Sequence, residues 1–140
     1  MNEGQAHHGS GRICPFCEQK LLTAHPYFSG WFHSLIVRYP DVHISWSYRD
    51  QADQDAFVKS GESDEPYPRS PHNKTDPQGN PRALALDLFQ IDSEGKGVWS
   101  HQFFSQVNAD NNAAKLPIYW GGNFKTLGDF DHFELRAGAC

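Results

Sequence analysis

The feature that most constrains the fold of this chain is an almost unbroken apolar run over residues 83–89, ALALDLF. A continuous apolar segment of this length is typical of a buried strand, so we predict a central strand here. One acid, Asp87, interrupts the run, and a buried carboxylate is costly unless it is paired or binds a metal. Two interpretations of Asp87 therefore follow: a carboxylate paired with an arginine at a strand end, or a metal ligand.

Hydrophobic periodicity predicts elements on both sides of this strand. Apolar residues recur with helical spacing between Pro26 and Tyr39, which predicts an amphipathic helix that ends before Pro40. Alternation of apolar and polar residues predicts a half-buried strand over 42–48. The remaining predictions are a short helix over 50–60 before Gly61, a turn over 92–96, a helix within 98–114, a loop over 116–124 and a strand over 132–135.

Length and composition indicate a globular domain and argue against several classes of protein. A chain of 140 residues is one domain in length, and aromatic residues make up 14% of it, whereas disordered chains contain few. The net charge of −5 argues against a protein that binds nucleic-acid phosphates. No apolar run approaches the ~18 residues of a membrane span. We expect no nucleic-acid partner, no membrane insertion and a monomer.

The first 23 residues are predicted to form an N-terminal extension, followed by one domain over 24–140. Residues 1–12 are polar and lack the apolar stretch of a signal peptide, so we expect synthesis in a reducing cytosol.

Cys14 and Cys17 form a CxxC knuckle, which is half of a structural zinc site. The residues that could complete such a site are Cys140, His7, His8 and His25. Two free thiols in a turn are the alternative interpretation. A thioredoxin-type redox motif is less favoured, because no βαβ pattern surrounds the knuckle.

Three residues could together form a catalytic metal site: His72, Asp87 and His132. Two imidazoles and one carboxylate are a three-ligand zinc set whose fourth position stays open for water. Bound zinc lowers the pKa of water toward ~7, and Asp129, three residues before His132, could act as general base. Taken singly, His72 could belong to a polar loop and His132 to the core. The motif HExxH is absent, which excludes a zincin-type peptidase.

Arg49 and Gln54 form a further cluster, at the end of the predicted 42–48 strand and on the following helix. Arginine is the natural partner of a carboxylate through its planar fork of donors. The alternative is a surface arginine capped by Asp50 or Asp53.

Three short motifs follow one another along residues 24–135. An aromatic residue and arginine end a strand, with glutamine five residues on: Tyr48-Arg49 and Gln54. Ser-x-His then precedes Ala-x-Asp in a strand, at residues 70–72 and 85–87. Trp-Gly-Gly at 120–122 precedes Asp-x-x-His-Phe-Glu at 129–134. Together these motifs resemble the zinc peptidases of bacterial cell walls that group D-alanyl-D-alanine carboxypeptidases and dipeptidases with phage L-alanyl-D-glutamate endolysins.

The resemblance implies a small α+β fold, in which helices pack on an antiparallel sheet around a zinc cleft in a single domain. It implies that His72, Asp87 and His132 bind Zn²⁺ and that Asp129 is the catalytic base. Arg49 would steady the substrate or the tetrahedral intermediate. The residues it places near the substrate are Arg49, Gln54, Ser70 and Trp120. A second, structural zinc at Cys14 and Cys17 lies outside the family pattern.

Peptidoglycan stem peptides are the substrate class that the resemblance implies. The compact C-terminal motif resembles the endolysins most, so we expect an L-alanyl-D-glutamate endopeptidase. A D-alanyl-D-alanine carboxypeptidase or dipeptidase is the alternative, and a non-catalytic peptidoglycan-binding or zinc-binding interaction module is another. The lack of a visible signal peptide fits a phage lysin that a holin releases to the bacterial cell wall.

One departure from the family pattern concerns spacing. Asp87 follows His72 at a longer distance along the chain than the pattern has, because the segment over residues 73–82 contains an insert. This insert is rich in turn-forming residues, so a surface loop or hairpin could absorb it while His72 and Asp87 still meet.

Overall fold

One antiparallel sheet organises the α+β domain, and it confirms the predicted fold class. The computed structural model describes residues 12–124 and 128–136. Its strands are β1 (Val42–Trp46), β2 (Ala85–Ile91), β3 (Gly97–Val98), β4 (Ile118–Trp120) and β5 (His132–Leu135). The helices within these ranges are α1 (Pro15–Leu21), α2 (Tyr27–Arg38), α3 (Gln51–Lys59) and α4 (His101–Ala113). Two 3-10 turns cover Pro71–Asn73 and Gly121–Asn123.

The strand order is β1-β2-β5-β4, and β3 pairs with the end of β2. Strand β2 lies between β1 and β5 and pairs with both, so the predicted central strand is confirmed. Its register places Asp87 directly opposite His132 of β5. Directly opposed residues in an antiparallel pair have neighbouring side chains, and the candidate site depends on this pairing.

The two faces of the sheet have different roles because side chains alternate along a strand. Leu86 and Leu88 of β2 and Phe133 of β5 belong to the hydrophobic core. Asp87 and His132 occupy the intervening positions and therefore face the opposite side. The same two strands thus supply apolar side chains to the core and polar side chains to the site.

The helices follow the predicted hydrophobic spacing. The buried residues of α2 are Phe28, Trp31, Phe32, Leu35 and Ile36. Those of α4 include Phe103, Phe104 and Val107. Helix α3 begins after Asp50, whose side chain accepts the N–H of Asp53, and Gly61 follows its end with φ +82°. None of the helices in the described residues is long and apolar enough to cross a membrane.

Three local predictions differ from the structure. The loop predicted over 116–124 contains β4, which pairs with β5 and is too short for alternation to show in the sequence. The strand predicted over 42–48 ends at Trp46, two residues early, and a register shift between Ile44 and Trp46 offsets its pairing with β2. The CxxC knuckle continues into helix α1, which was not predicted and which has Pro15 in its first turn.

Candidate metal centre

Three buried side chains from separate parts of the chain converge on one face of the sheet. His72 lies in the 3-10 turn before the insert, Asp87 on β2 and His132 at the start of β5. The atoms that meet are Nε2 of His72, Oδ1 of Asp87 and Nδ1 of His132, and each pair is 3.2 Å apart. The structure thus brings together the three predicted ligands in a nearly equilateral triangle.

The hydrogen bonds behind these atoms determine which side of each ring faces the triangle. His72 Nδ1 donates to the carbonyl oxygen of Ser47 at 2.6 Å, since a carbonyl can only accept. His132 Nε2 lies 2.8 Å from a carboxylate oxygen of Glu134 and donates to it. In their neutral forms both rings therefore present a lone pair to the triangle. Metal-binding histidines are oriented in this way by carbonyl and carboxylate acceptors.

The triangle fits a tetrahedral cation. Zn²⁺ with bonds of ~2.0–2.1 Å to nitrogen and oxygen holds its ligand atoms ~3.3 Å apart, against 3.2 Å between each pair here. With both rings neutral, two lone pairs and a carboxylate oxygen would face one another in a buried site, and a cation between them would offset their repulsion. His72, Asp87 and His132 therefore suit Zn²⁺ in number, type and spacing.

The pKa shifts of the three side chains also indicate a site that favours a positive charge beside Asp87. Burial raises the pKa of Asp87, but the imidazoles of His72 and His132 outweigh it and hold this pKa well below its usual range. Burial lowers the pKa of His72. Burial also lowers the pKa of His132, but the carboxylates of Asp87 and Glu134 outweigh it and raise the pKa to about 10. The carboxylate of Asp87 is thus held in its ionised, metal-binding form.

Arg49 is buried beside the triangle and is not a surface residue. Its Nη2 donates to Oδ2 of Asp87 at 2.7 Å, and its Nη1 lies 3.3 Å from Oε1 of Gln54. Gln54 is fully buried, and the same oxygen accepts from Asn73. The pairing of Asp87 with an arginine is confirmed. Its other carboxylate oxygen faces the two histidines, in a group that could hold a metal ion. The predicted substrate contacts of Arg49 and Gln54 stay predictions.

Two further acids lie next to the triangle. Oδ2 of Asp129 is 3.7 Å from Nδ1 of His132, and its side chain is 35% exposed. Asp131, which the sequence analysis did not single out, has its pKa raised to about 9 by burial and by the charges of Asp87 and Asp129. The sequence feature that could have identified Asp131 is its position between Asp129 and His132 in the motif. Asp129 thus combines nearness to the candidate ligands with partial access to solvent.

An open cleft of about 420 Å³ reaches this site, and Arg49, Asp87 and Asp129 are among its lining residues. Trp99 forms an apolar part of the wall, stacks on Phe89 at 5.1 Å and is 57% exposed. The sequence analysis did not identify Trp99.

The predicted residues Ser70 and Trp120 lie near the site but are buried. Ser70 accepts the backbone N–H of His72 at 3.2 Å and so caps the turn that carries this histidine. Trp120 donates from Nε1 to the carbonyl oxygen of Phe130 at 2.7 Å. Their substrate contacts also stay predictions.

The two described cysteines meet a histidine that the sequence analysis did not name. Cys14 and Cys17 lie with His43 in a second group that could hold a metal ion. His25, one of the predicted further ligands, does not belong to this group and accepts the backbone N–H of Tyr27 at 3.1 Å. The other predicted ligands, His7, His8 and Cys140, lie outside the described residues.

Comparison with known proteins supports the resemblance at the level of the fold. No protein-family model matches the chain, and no curated protein sequence is significantly similar to it. Among solved structures, the fold is similar to that of the L-Ala D-Glu endopeptidase ChiX of Serratia marcescens, with a TM-score of 0.65 and 26% sequence identity. The alignment covers 89% of each chain. A peptidase fold and a candidate metal site therefore occur together in this protein.

Proposed function

We propose that this protein is a zinc-dependent peptidase that hydrolyses peptidoglycan stem peptides between L-alanine and D-glutamate. The observation that carries the proposal is the triangle of His72, Asp87 and His132, with ligand atoms 3.2 Å apart beside an open cleft. The similarity to ChiX supports it, because that structure is described as an L-Ala D-Glu endopeptidase.

His72, Asp87 and His132 would hold the zinc ion. When bound in a three-ligand site, zinc lowers the pKa of water toward ~7 and polarises a carbonyl oxygen. The surrounding residues keep the ligands in place: the Ser47 carbonyl orients His72, and the Glu134 carboxylate orients His132.

Asp129 is the proposed general base. Its carboxylate lies within 3.7 Å of a ligand atom and is partly open to the cleft. It would accept the proton of the attacking water and later donate it to the leaving amine, as one carboxyl group can do in both halves of a hydrolysis.

Arg49 is the proposed source of positive charge for the reacting carbonyl. Its Nε has no hydrogen-bond partner among the described residues, although the atom is buried, and the residue lines the cleft. A guanidinium fixed there would stabilise negative charge that develops on the substrate oxygen. The burial of Gln54 and Ser70 favours positioning roles, in which Gln54 orients Arg49 and Ser70 orients His72.

The L-Ala–D-Glu bond is the proposed site of cleavage, and the D-alanyl-D-alanine bond is the alternative. Action as a monomer on the bacterial wall, after release through a phage holin, belongs to the same proposal.

Mass spectrometry of purified stem peptides, incubated with the protein and zinc or with a chelator, tests this function. A chelator-sensitive new amino terminus at D-Glu is expected. Loss of terminal D-Ala would replace the endopeptidase by a carboxypeptidase, and no cleavage of either bond would refute the proposal.

Matched variants separate the roles of metal ligand and base in the same assay. Asp129→Asn should lower the rate by ~100-fold or more while zinc stays bound, and the exposed Asp55→Asn is its control. His132→Ala should lose both zinc and activity, and the exposed His33→Ala should lose neither. Full activity in Asp129→Asn would show that another group is the base.

A further inference from the structure

A second set of metal-ligating side chains lies at the edge of the sheet, where α1 packs beside β1. Cys14 and Cys17 bracket the first turn of α1, and His43 lies on β1. Nδ1 of His43 is 3.6 Å from Sγ of Cys14 and 3.4 Å from Sγ of Cys17. All three residues are at most 3% exposed. Two thiols and one imidazole thus meet in a buried site, although the histidine lies more than twenty-five positions after the cysteines in sequence.

The distances match a tetrahedral zinc site with mixed ligands. With Zn–S bonds of ~2.3 Å and Zn–N bonds of ~2.0–2.1 Å, a tetrahedral angle separates sulfur from nitrogen by ~3.5 Å. The observed separations of 3.4 and 3.6 Å lie on either side of this value. The CxxC spacing places both sulfurs on one side of a helix start, as structural zinc sites require.

The backbone around Cys17 places a hydrogen-bond donor at its sulfur. The N–H of Ile44 donates to Sγ of Cys17 at 3.3 Å, and the thiolate is the form of cysteine that binds metals. Strand β1 is at the edge of the sheet, so this N–H has no neighbouring strand on its outer side. The sulfur therefore satisfies an edge-strand donor and at the same time faces His43.

We propose that Cys14, Cys17 and His43 bind a structural Zn²⁺ that ties helix α1 to the edge of β1. Structural zinc takes four ligands, and these are the three that the described residues supply. The site differs in kind from the candidate catalytic centre, because two of its ligands are thiols, whereas the other centre offers two imidazoles and a carboxylate. This inference does not depend on the proposed peptidase function.

Zinc bound between α1 and β1 would also protect the edge of the sheet. An edge strand presents unpaired backbone groups and is a template for aggregation unless it is covered. Helix α1 has only seven residues, and helices this short are marginal without tertiary support. Zinc bound across α1 and β1 would hold the helix over the edge.

Metal stoichiometry and cobalt spectroscopy of the whole chain test the proposal. We expect two zinc ions per chain, one of which remains in His132→Ala. Substitution with Co²⁺ should give a thiolate-to-cobalt charge-transfer band that persists in His132→Ala, because only the second site contains sulfur. Cys14→Ser should lose this band and one metal ion. The exposed His33→Ala is the control and should keep both ions and the band.

His43 is tested separately from the cysteines. His43→Gln should weaken Co²⁺ binding at the thiolate site by more than the ~10–100-fold that loss of an outer-shell partner costs. Unchanged affinity in this variant would overturn the assignment of His43. A single metal ion per unmodified chain, with no thiolate-to-cobalt band, would overturn the site itself, even if the cysteine variants fail to fold. Neither result depends on peptide cleavage, so the failure of this site and of the proposed peptidase are distinguishable.

Discussion

Replacing Gly121 by alanine should displace the segment that carries Asp129 and His132 without removing either side chain. Gly121 begins the 3-10 turn after β4, and its carbonyl oxygen accepts the N–H of Asp129 at 3.0 Å. A methyl group here would lie 2.3 Å from the carbonyl oxygen of Asp129 and 2.9 Å from Cβ of His132. The first glycine of the Trp-Gly-Gly motif therefore allows two backbone segments to approach closely.

The size of the effect follows from these contacts. Non-bonded heavy atoms prefer separations of ~3.5 Å or more, so the contact with Asp129 must open by about 1 Å. Overpacking of this kind costs ~1–3 kcal/mol, and a misplacement of ~1 Å can lower a rate by ~100-fold. We expect Gly121→Ala to lose about that much unfolding free energy and about that factor in kcat/KM. Zinc affinity should fall as well, because His132 is displaced together with Asp129.

Denaturant unfolding, zinc content and stem-peptide cleavage should be measured on the same preparations. Gly30→Ala is the matched control, because Gly30 is exposed on α2 and a methyl group there meets nothing within 4 Å. Alanine is favoured over glycine in a helix by ~1 kcal/mol, so this control should be slightly more stable and equally active. A Gly121→Ala protein within ~0.5 kcal/mol of the parent, with full zinc and full activity, would refute the reasoning.

Two further predictions concern side chains that are held by hydrogen bonds. Gln54→Leu should lower the unfolding free energy by at least ~2 kcal/mol, because Arg49 and Asn73 lose a buried acceptor. Activity should fall while zinc is retained. A loss below ~1 kcal/mol in urea unfolding would contradict this prediction. Tyr39→Phe should cost about 1 kcal/mol by removing the 2.6 Å hydrogen bond to Asp110. Burial and this hydrogen bond raise the pKa of Tyr39, so the contribution is complete below the ordinary tyrosine pKa of about 10 and is lost as the pH rises through the raised pKa. The stability difference between Tyr39→Phe and the parent should therefore shrink in alkaline unfolding experiments, and a constant difference would contradict the assignment.

The elements that sequence periodicity predicted well are long and have one strongly apolar face. Helix α2 and strand β2 are of this kind, since burial against the core repeats along them with a fixed period. Strand β4 was missed because its three residues form a strand only by pairing with β5, and that pairing depends on residues more than ten positions away.

The candidate site was predictable as a set of residue types but not as an arrangement. His72, Asp87, His132 and Asp129 were all named from motif spacing. Asp131 was not, because its raised pKa comes from burial and from neighbouring charges that the order of residues does not reveal. His43 was missed for a similar reason, since it reaches Cys14 and Cys17 only after β1 packs beside α1.

The order of residues is enough to show which side chains are available for chemistry and which segments can form helices and strands. These properties are encoded within a few neighbouring residues, through periodicity, caps and short motifs. Only the tertiary structure decided that Asp87 faces His132 across two strands, that the insert leaves His72 within 3.2 Å of both, and that Arg49 pairs with Asp87. Contacts between residues so far apart in sequence depend on how the whole chain packs, because no local preference sets the distance between them.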